Sequence, residues 1–239
     1  MFQLFKKKYA LVDSGILQGM TDLHSHLLPG VDDGSPDTAS SLEMLAWMEA
    51  LGIRKVWLTP HVMEDFQNNS SRLEQVFQTF QQAYTGPIEL NLASEYMLDA
   101  SFSQRLPDQV LPLGKKHLLV ETSYIYCPVG LYDLLLDIYH TGLQPVIAHP
   151  ERYMYMEEAD FRELKEKGYA FQLNLMSLSG YYGRRPQKVS EDLLQKGWYD
   201  FVGSDLHHLH RYAPMLEALK LKREQIDALR VLIENNETI

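Results

Sequence analysis

A parallel α/β fold closed as a distorted seven-stranded TIM-like barrel is the class the sequence predicts, and three observations predict it. Short apolar, β-branched runs alternate with helical periods along almost the whole chain, in seven units of roughly 25 to 37 residues, the spacing of strands joined by crossover helices. No repeat, low-complexity tract or Pro/Ser-rich linker interrupts them, so a single domain over residues 1–239 is expected, with 1–18 as an N-terminal tail and 19–239 as the barrel. Polar or ionisable residues also stand at or just past every strand end. Seven such ends converge at the C-terminal mouth of a barrel, whereas an open sheet would string them along an edge.

The first strand is residues 19–23. After the polar loop Val31-Asp32-Asp33-Gly34, Ser35 is placed to cap a helix with Pro36 at its first position; that helix presents Leu42, Leu45, Ala46 and Leu51 and stops at Gly52. The second strand, 55–59, ends at Pro60, and the helix beyond it carries Leu73, Val76, Phe77 and Phe80, an i, i+3, i+4, i+7 stripe. Strands follow at 88–94, 117–120, 144–148, 170–175 and 200–203. Helices are expected at 131–140, 160–167 and 189–196, and one long helix at 214–234.

Composition bounds the function. The chain has 239 residues, 45% of them apolar and 23% charged, and no apolar stretch approaches the roughly 18 residues of a membrane span. The first ten residues carry lysines without the apolar run of a signal peptide, so a cytoplasmic address is expected. A net charge of −10 argues against nucleic acid, whose binding depends on Lys and Arg neutralising phosphates. Lys6, Lys7 and Lys8 fall short of a polybasic membrane site and read as a solvated tail. The single cysteine, Cys127, excludes a disulfide framework and a cysteine-rich zinc module, leaving nitrogen and oxygen to hold any metal.

In Asp22-Leu23-His24-Ser25-His26, the period of two puts both imidazoles on one strand face. Asp22, on the same face, is a potential acceptor for a ring N–H. Asp205-Leu206-His207 repeats the spacing at the last strand, His61 and His149 follow two others, and Glu95 and Glu121 stand beside apolar Leu92 and Val120, where an unpaired charge is expensive. One catalytic zinc takes three protein ligands, so this set implies two or three ions. Imidazole and carboxylate suit Mn²⁺, Fe²⁺ or Zn²⁺ and do not choose among them. Three divalent ions set against Asp33, Glu95, Glu121 and Asp205 would leave a surplus of two positive charges, which matches a dianion such as a phosphate monoester.

Taken together the motifs resemble the polymerase-and-histidinol-phosphatase (PHP) superfamily, and within it the bacterial metal-dependent protein-tyrosine phosphatases of capsule and exopolysaccharide systems. The resemblance rests on T-D-L-H-S-H-L-L-P-G-V-D-D-G (Thr21 to Gly34), T-P-H (Thr59 to His61), S-E-Y (Ser94 to Tyr96), V-E-T-S (Val120 to Ser123), A-H-P-E-R-Y (Ala148 to Tyr153) and G-S-D-L-H (Gly203 to His207). It implies three divalent metals, usually Mn²⁺, held by His24, His26, Asp33, His61, Glu95, Glu121, His149, Asp205 and His207, with Asp32 orienting its loop. It also implies hydrolysis of phosphotyrosine by a metal-activated hydroxide, with Arg152 binding phosphate. Arg211 stands near the place of a second family arginine, with His208 and His210 intervening. A tyrosine kinase regulating polysaccharide export is the implied partner. A PHP hydrolase of a small phosphomonoester such as histidinol phosphate is the alternative, and an oligomer is left open.

A cysteine-phosphatase mechanism is excluded, since C-x₅-R would need arginine where Asp133 stands. Tyr181, Tyr182, Arg184 and Arg185 follow the sixth strand at the expected mouth, where the tyrosines could stack on a substrate ring and the arginines guide its phosphate; an exposed glycine turn is the alternative. His117, His140, His208 and His210 read as surface or helix-end residues, and Met97, Met154 and Met156 as packing.

Overall fold

The computed structural model describes residues 7–106 and 110–239. The chain opens with β1 (Lys8–Ala10), followed by β2 (Thr21–Ser25), α1 (Thr38–Ala50), β3 (Lys55–Leu58), β4 (His61–Val62) and α2 (Ser70–Ala83). Next come β5 (Glu89–Leu92), β6 (Glu95–Met97), α3 (Phe102–Arg105), β7 (His117–Glu121), α4 (Leu131–His140) and β8 (Gln144–Ala148). The chain continues through α5 (Glu158–Glu166), β9 (Ala170–Asn174), α6 (Arg184–Lys196), β10 (Phe201–Gly203), α7 (Leu209–Ala218), β11 (Lys220–Lys222) and α8 (Arg223–Asn236).

The α/β class with parallel strands is observed, but the strands do not form one continuous ladder. A six-stranded parallel sheet runs β10-β9-β8-β7-β6-β4, and a three-stranded parallel sheet runs β2-β3-β5. The split has a local cause. The second expected strand breaks at Thr59-Pro60, where proline has no N–H for a ladder, and the third breaks alongside it at Ala93-Ser94 into β5 and β6. Ala93 N–H donates to the Leu58 carbonyl and Glu95 N–H to the Pro60 carbonyl, so both strands bend at one level. Beyond the bend His61 and Glu95 are registered neighbours.

Between β2 and β10, side chains do much of what a ladder would do. Asp22 accepts from Ser204 N–H at 2.8 Å and Ser204 Oγ–H at 2.5 Å, and higher up Asp205 N–H donates to the His24 carbonyl and His26 N–H to the Leu206 carbonyl. Below, the buried Asn236 of α8 donates to the carbonyls of Thr21 and Val202 and accepts from Val202 N–H. A small apolar cluster takes Leu23, Trp57, Leu119, Val146 and Phe201 from five strands, while the main cluster packs the strands against the helices.

Four expectations are corrected. The N-cap of α1 is Asp37, not Ser35: the Asp37 carboxylate accepts from Ser40 N–H, while Ser35 Oγ turns to the Asp37 carbonyl and Ser41. Helix α6 begins at Arg184 rather than 189, because Pro186 falls in the first turn, where no intrahelical N–H bond is lost. The long last helix is two, separated by β11, whose Lys220-Leu221-Lys222 alternates exposed, buried, exposed. Finally, residues 8–18 are not a tail, since β1 pairs antiparallel with β11 and Leu11, Ile16 and Leu17 are buried. Lys7 and Lys8 are exposed as expected; Lys6 lies outside the described residues.

Asn236→Ala removes three buried hydrogen bonds across the β2–β10 seam and is expected to cost about 2–4 kcal/mol. The check is a lower urea midpoint at constant slope; an unchanged midpoint would show that the seam holds without it.

Candidate metal centre

All nine histidines and carboxylates expected as ligands are brought to one place. They fall into four overlapping groups whose donor atoms lie within 4.8 Å of one another: His26, Asp33, His61 and His207; His24, His149 and Asp205; His24, His26 and Glu95; and His61, Glu95 and Glu121. All but the rim residues Asp33 and His207 are buried.

Hydrogen bonds set which atom each ring presents. His24 Nδ1–H donates to Gln172 Oε1 at 2.9 Å, His26 Nδ1–H to Asp32 Oδ2 at 2.8 Å, and His207 Nδ1–H to the Asp205 carbonyl at 3.0 Å. Each therefore turns an Nε2 lone pair inward. Asp22, a potential ring acceptor from its position on the strand face, instead bonds the His24 backbone N–H and Ser204. Asp32 orients its loop as expected, accepting also from Gly34 and His61 N–H.

His24 Nε2 and His26 Nε2 lie 3.1 Å apart; Glu95 Oε2 is 3.2 and 3.4 Å from them, and Asp205 Oδ1 is 3.4 and 3.3 Å. Four donors around one ion at about 2.0–2.1 Å stand about 3.3 Å apart by simple geometry. Nearby, His61 Nδ1 is 3.1 Å from Glu95 Oε2 and 3.0 Å from Glu121 Oε1, yet these three atoms make no aligned hydrogen bond. Donor types, spacing and buried lone pairs all fit divalent cations.

Electrostatics agrees. Burial works against charge on His24, but Glu95 and Asp205 outweigh it and raise its pKa. Burial likewise opposes charge on His26, where Asp32 and Asp205 raise it well above the usual value. His61 is pushed up to about 10, with Glu121 and Glu95 overcoming burial and the neighbouring His26. Glu95 and Asp205 are held well below the carboxylate range, their histidine neighbours outweighing burial. The only non-glycine residues with positive φ among those described are His149 (33°) and Asp205 (53°), both in the cluster, a strain of about 1–3 kcal/mol each.

Arg152 closes the site. Its Nη1 donates to Asp205 Oδ2 at 2.8 Å, and its guanidinium lies between the rings of Tyr124 and Tyr182, 4.3 and 4.1 Å from their centroids. Asp205 Oδ2 also accepts from Asn174 Nδ2 at 2.7 Å. An adjoining cavity of about 260 Å³ is lined by Arg152, Asp33, His207, Tyr124, Tyr181 and Tyr182, among others. A dry cavity of about 150 Å³ takes a benzene ring, so this one has room for an aryl phosphate.

Not every expected substrate residue reaches it. Arg184 is exposed at the start of α6 and Arg211 on the first turn of α7, and neither lines the cavity; Arg185 donates to the carbonyls of Tyr153 and Met156. Conversely Tyr124, Tyr212 and His208 do line it. A signal for Tyr124 was its position three residues past Glu121, on the loop leaving a strand that carries an expected ligand. Of the methionines, Met156 is in the core and Met154 is exposed.

The family model described as capsular polysaccharide synthesis, CpsB/CapC, matches residues 20–239. The tyrosine-protein phosphatase YwqE of Bacillus subtilis is 31% identical over 198 residues, covering 80% of this chain and 78% of its own. A structure from the study of YwqE from Bacillus subtilis and CpsB from Streptococcus pneumoniae, described as unique metal-dependent tyrosine phosphatases, superposes with a TM-score of 0.72 at 28% identity, covering 90% of this chain and 95% of that one. Histidinol phosphate phosphatase of Lactococcus lactis shares the fold, with a TM-score of 0.50 at 15% identity, covering 92% and 94%.

The raised histidines give a pH prediction. A folded pKa of about 10 against an ordinary 6.5 for His61 means that its protonated form stabilises the metal-free fold fully below pH 6.5, and that this contribution fades as pH rises toward 10. A metal takes the neutral ring, so Mn²⁺ binding at pH 7 should release about one proton or more and tighten as pH rises. Calorimetry in two buffers of different ionisation enthalpy reads the protons; identical heats would contradict it.

Proposed function

The chain belongs to the CpsB/CapC capsular polysaccharide synthesis family, and from that premise we propose that it is a metal-dependent protein-tyrosine phosphatase. The observation that carries the reading is the convergence of histidine and carboxylate donors at 3.1–3.4 Å beside an arginine held between two tyrosine rings. The nine residues named above would hold three divalent ions, Mn²⁺ first among Mn²⁺, Fe²⁺ and Zn²⁺. The strands are read as one distorted seven-stranded barrel in a single domain, with the bends at Pro60 and Ser94 and the seam at Asn236 as its irregularities.

Divalent ions held by this set would supply water activation and positive charge for the phosphoryl oxygens. The chain's own residues bind and orient. Arg152 is fixed by Asp205 through one nitrogen, which leaves its other N–H groups for phosphoryl oxygens in a planar, bidentate manner. Burial opposes its charge, but Tyr124 and Asp205 raise its pKa further, so it stays protonated through any working pH. Tyr181 and Tyr182 supply aromatic surface for the substrate ring. Tyrosine, with a phenol pKa of about 10, is a tolerable leaving group, so no strong acid is required of the protein.

The aromatic lining favours phosphotyrosine over histidinol phosphate, and the histidinol phosphatase likeness extends to the fold alone. The physiological substrate is proposed to be a tyrosine kinase of the polysaccharide export system, acted on in the cytoplasm. No helix among the described residues is long and apolar enough to cross a membrane.

The first test is phosphate release from a phosphotyrosine peptide by metal-stripped protein with and without Mn²⁺. Activity is expected to return only with metal and to be absent in His24→Ala; no activity with any divalent ion would overturn the reading. Arg152→Ala should lower kcat by about 100-fold or more with metal content unchanged, and loss of metal instead would make Arg152 a structural residue.

A further inference from the structure

Tyr124 lines a second depression as well as the phosphate cavity. This groove, of about 740 Å³, extends from Tyr124 over Met63, Met97, Ile125, Tyr126 and Val129, and its volume is in the range that takes a ligand of several side chains. Three of its apolar residues are far from buried: Ile125 is 76% exposed, Tyr126 67% and Val129 100%. Contiguous apolar exposure of this kind marks an interaction surface. One rim is acidic. Glu64 and Asp65 are exposed there and, among the described residues, pair with no cation, whereas the nearby Asp99 is held by Arg105.

We propose that this groove seats the polypeptide flanking the phosphotyrosine, and that it selects substrates whose flanking residues are apolar and basic. The inference rests on the phosphatase reading above and names its substrate class. Continuity is the first argument: a phosphotyrosine whose ring enters the cavity beside Tyr124 leaves its main chain at the lip the two depressions share. Charge is the second, since unpaired Glu64 and Asp65 complement Lys or Arg. A second copy of this chain is the competing occupant, and the oligomeric state measured below separates it from a substrate chain.

The test uses the full chain loaded with Mn²⁺ and three substrates: a phosphotyrosine peptide flanked by Leu and Lys, the same peptide with Glu in their place, and p-nitrophenyl phosphate, which reads the phosphate cavity alone. Wild type should prefer the Leu/Lys peptide by about tenfold in kcat/KM. Ile125→Ser with Val129→Ser, which removes apolar surface without adding charge, should reduce that preference to about threefold, and Glu64→Lys with Asp65→Lys should reverse it. Turnover of p-nitrophenyl phosphate should stay within about twofold throughout; all four positions are exposed, so folding is not at issue. Equal rates on the two peptides, or a parallel fall on p-nitrophenyl phosphate, would overturn the proposal. So would substitutions that change only the oligomeric state in size-exclusion chromatography, which would assign the groove to a second copy. Failure of wild type on all three substrates would instead remove the phosphatase reading, and this proposal with it.

Discussion

Burying ionisable groups together is the constraint on which the rest of the structure depends. His24, His26, Glu95 and Asp205 are at most 3% exposed, and an isolated buried charge is expensive enough that a group changes protonation rather than bear it. The cluster therefore has two stable forms, one neutralised by protons shared between imidazoles and carboxylates and one neutralised by cations. Its packing leaves no slack. A Cβ at Gly34 would stand 2.2 Å from the His26 carbonyl oxygen, and one at Gly203 2.5 Å from His24 Cβ, so only glycine lets these segments close on the two histidines.

The same constraint explains the irregular strands. A regular strand delivers side chains alternately to two faces, and a continuous ladder could not turn every histidine and carboxylate of the cluster inward at one depth. The bend at Pro60 and Ser94 lifts His61 and Glu95 into register, and the left-handed backbone at His149 and Asp205 re-aims both side chains. Strain is tolerated there because the surroundings over-determine it: Asp205 bonds Arg152 and Asn174 through one carboxylate oxygen while the other faces two histidines. What the ladder loses between β2 and β10, Asp22, Ser204 and Asn236 return as side-chain bonds.

Much of this was legible in residue spacing. Alternation in Asp22 to His26 put two imidazoles on one face, and strand-end positions gathered eight of the nine histidines and carboxylates that meet in the cluster, Asp33 entering only through the resemblance of its loop. The legible part stops where contacts are non-local. Gln172 reads as an ordinary strand residue, yet it orients His24 from 148 positions away. Asp22 is legible as a potential ring acceptor, but it holds the seam, because that role depends on Ser204 being opposite it. The strand at Lys220 to Lys222 was hidden in a helical period, since three residues of alternation register only when β1 supplies a partner. Arg184 and Arg185 look equivalent in sequence and differ in structure, because the start of α6 turns one to solvent and the other to two carbonyls.

The net charge of −10 and a phosphate dianion as substrate are reconciled by distance. At physiological ionic strength exposed charges are screened over about 8 Å, so most surface carboxylates contribute little at the mouth, and what the phosphate would meet is Arg152 and the cations proposed for the cluster. Steering from afar is accordingly weak, and selection must be made at contact range. The acidic rim and apolar floor beside Tyr124 are in that range: they act on the residues next to the phosphotyrosine rather than on its phosphate, which allows one site to attract an anion and still prefer a basic chain.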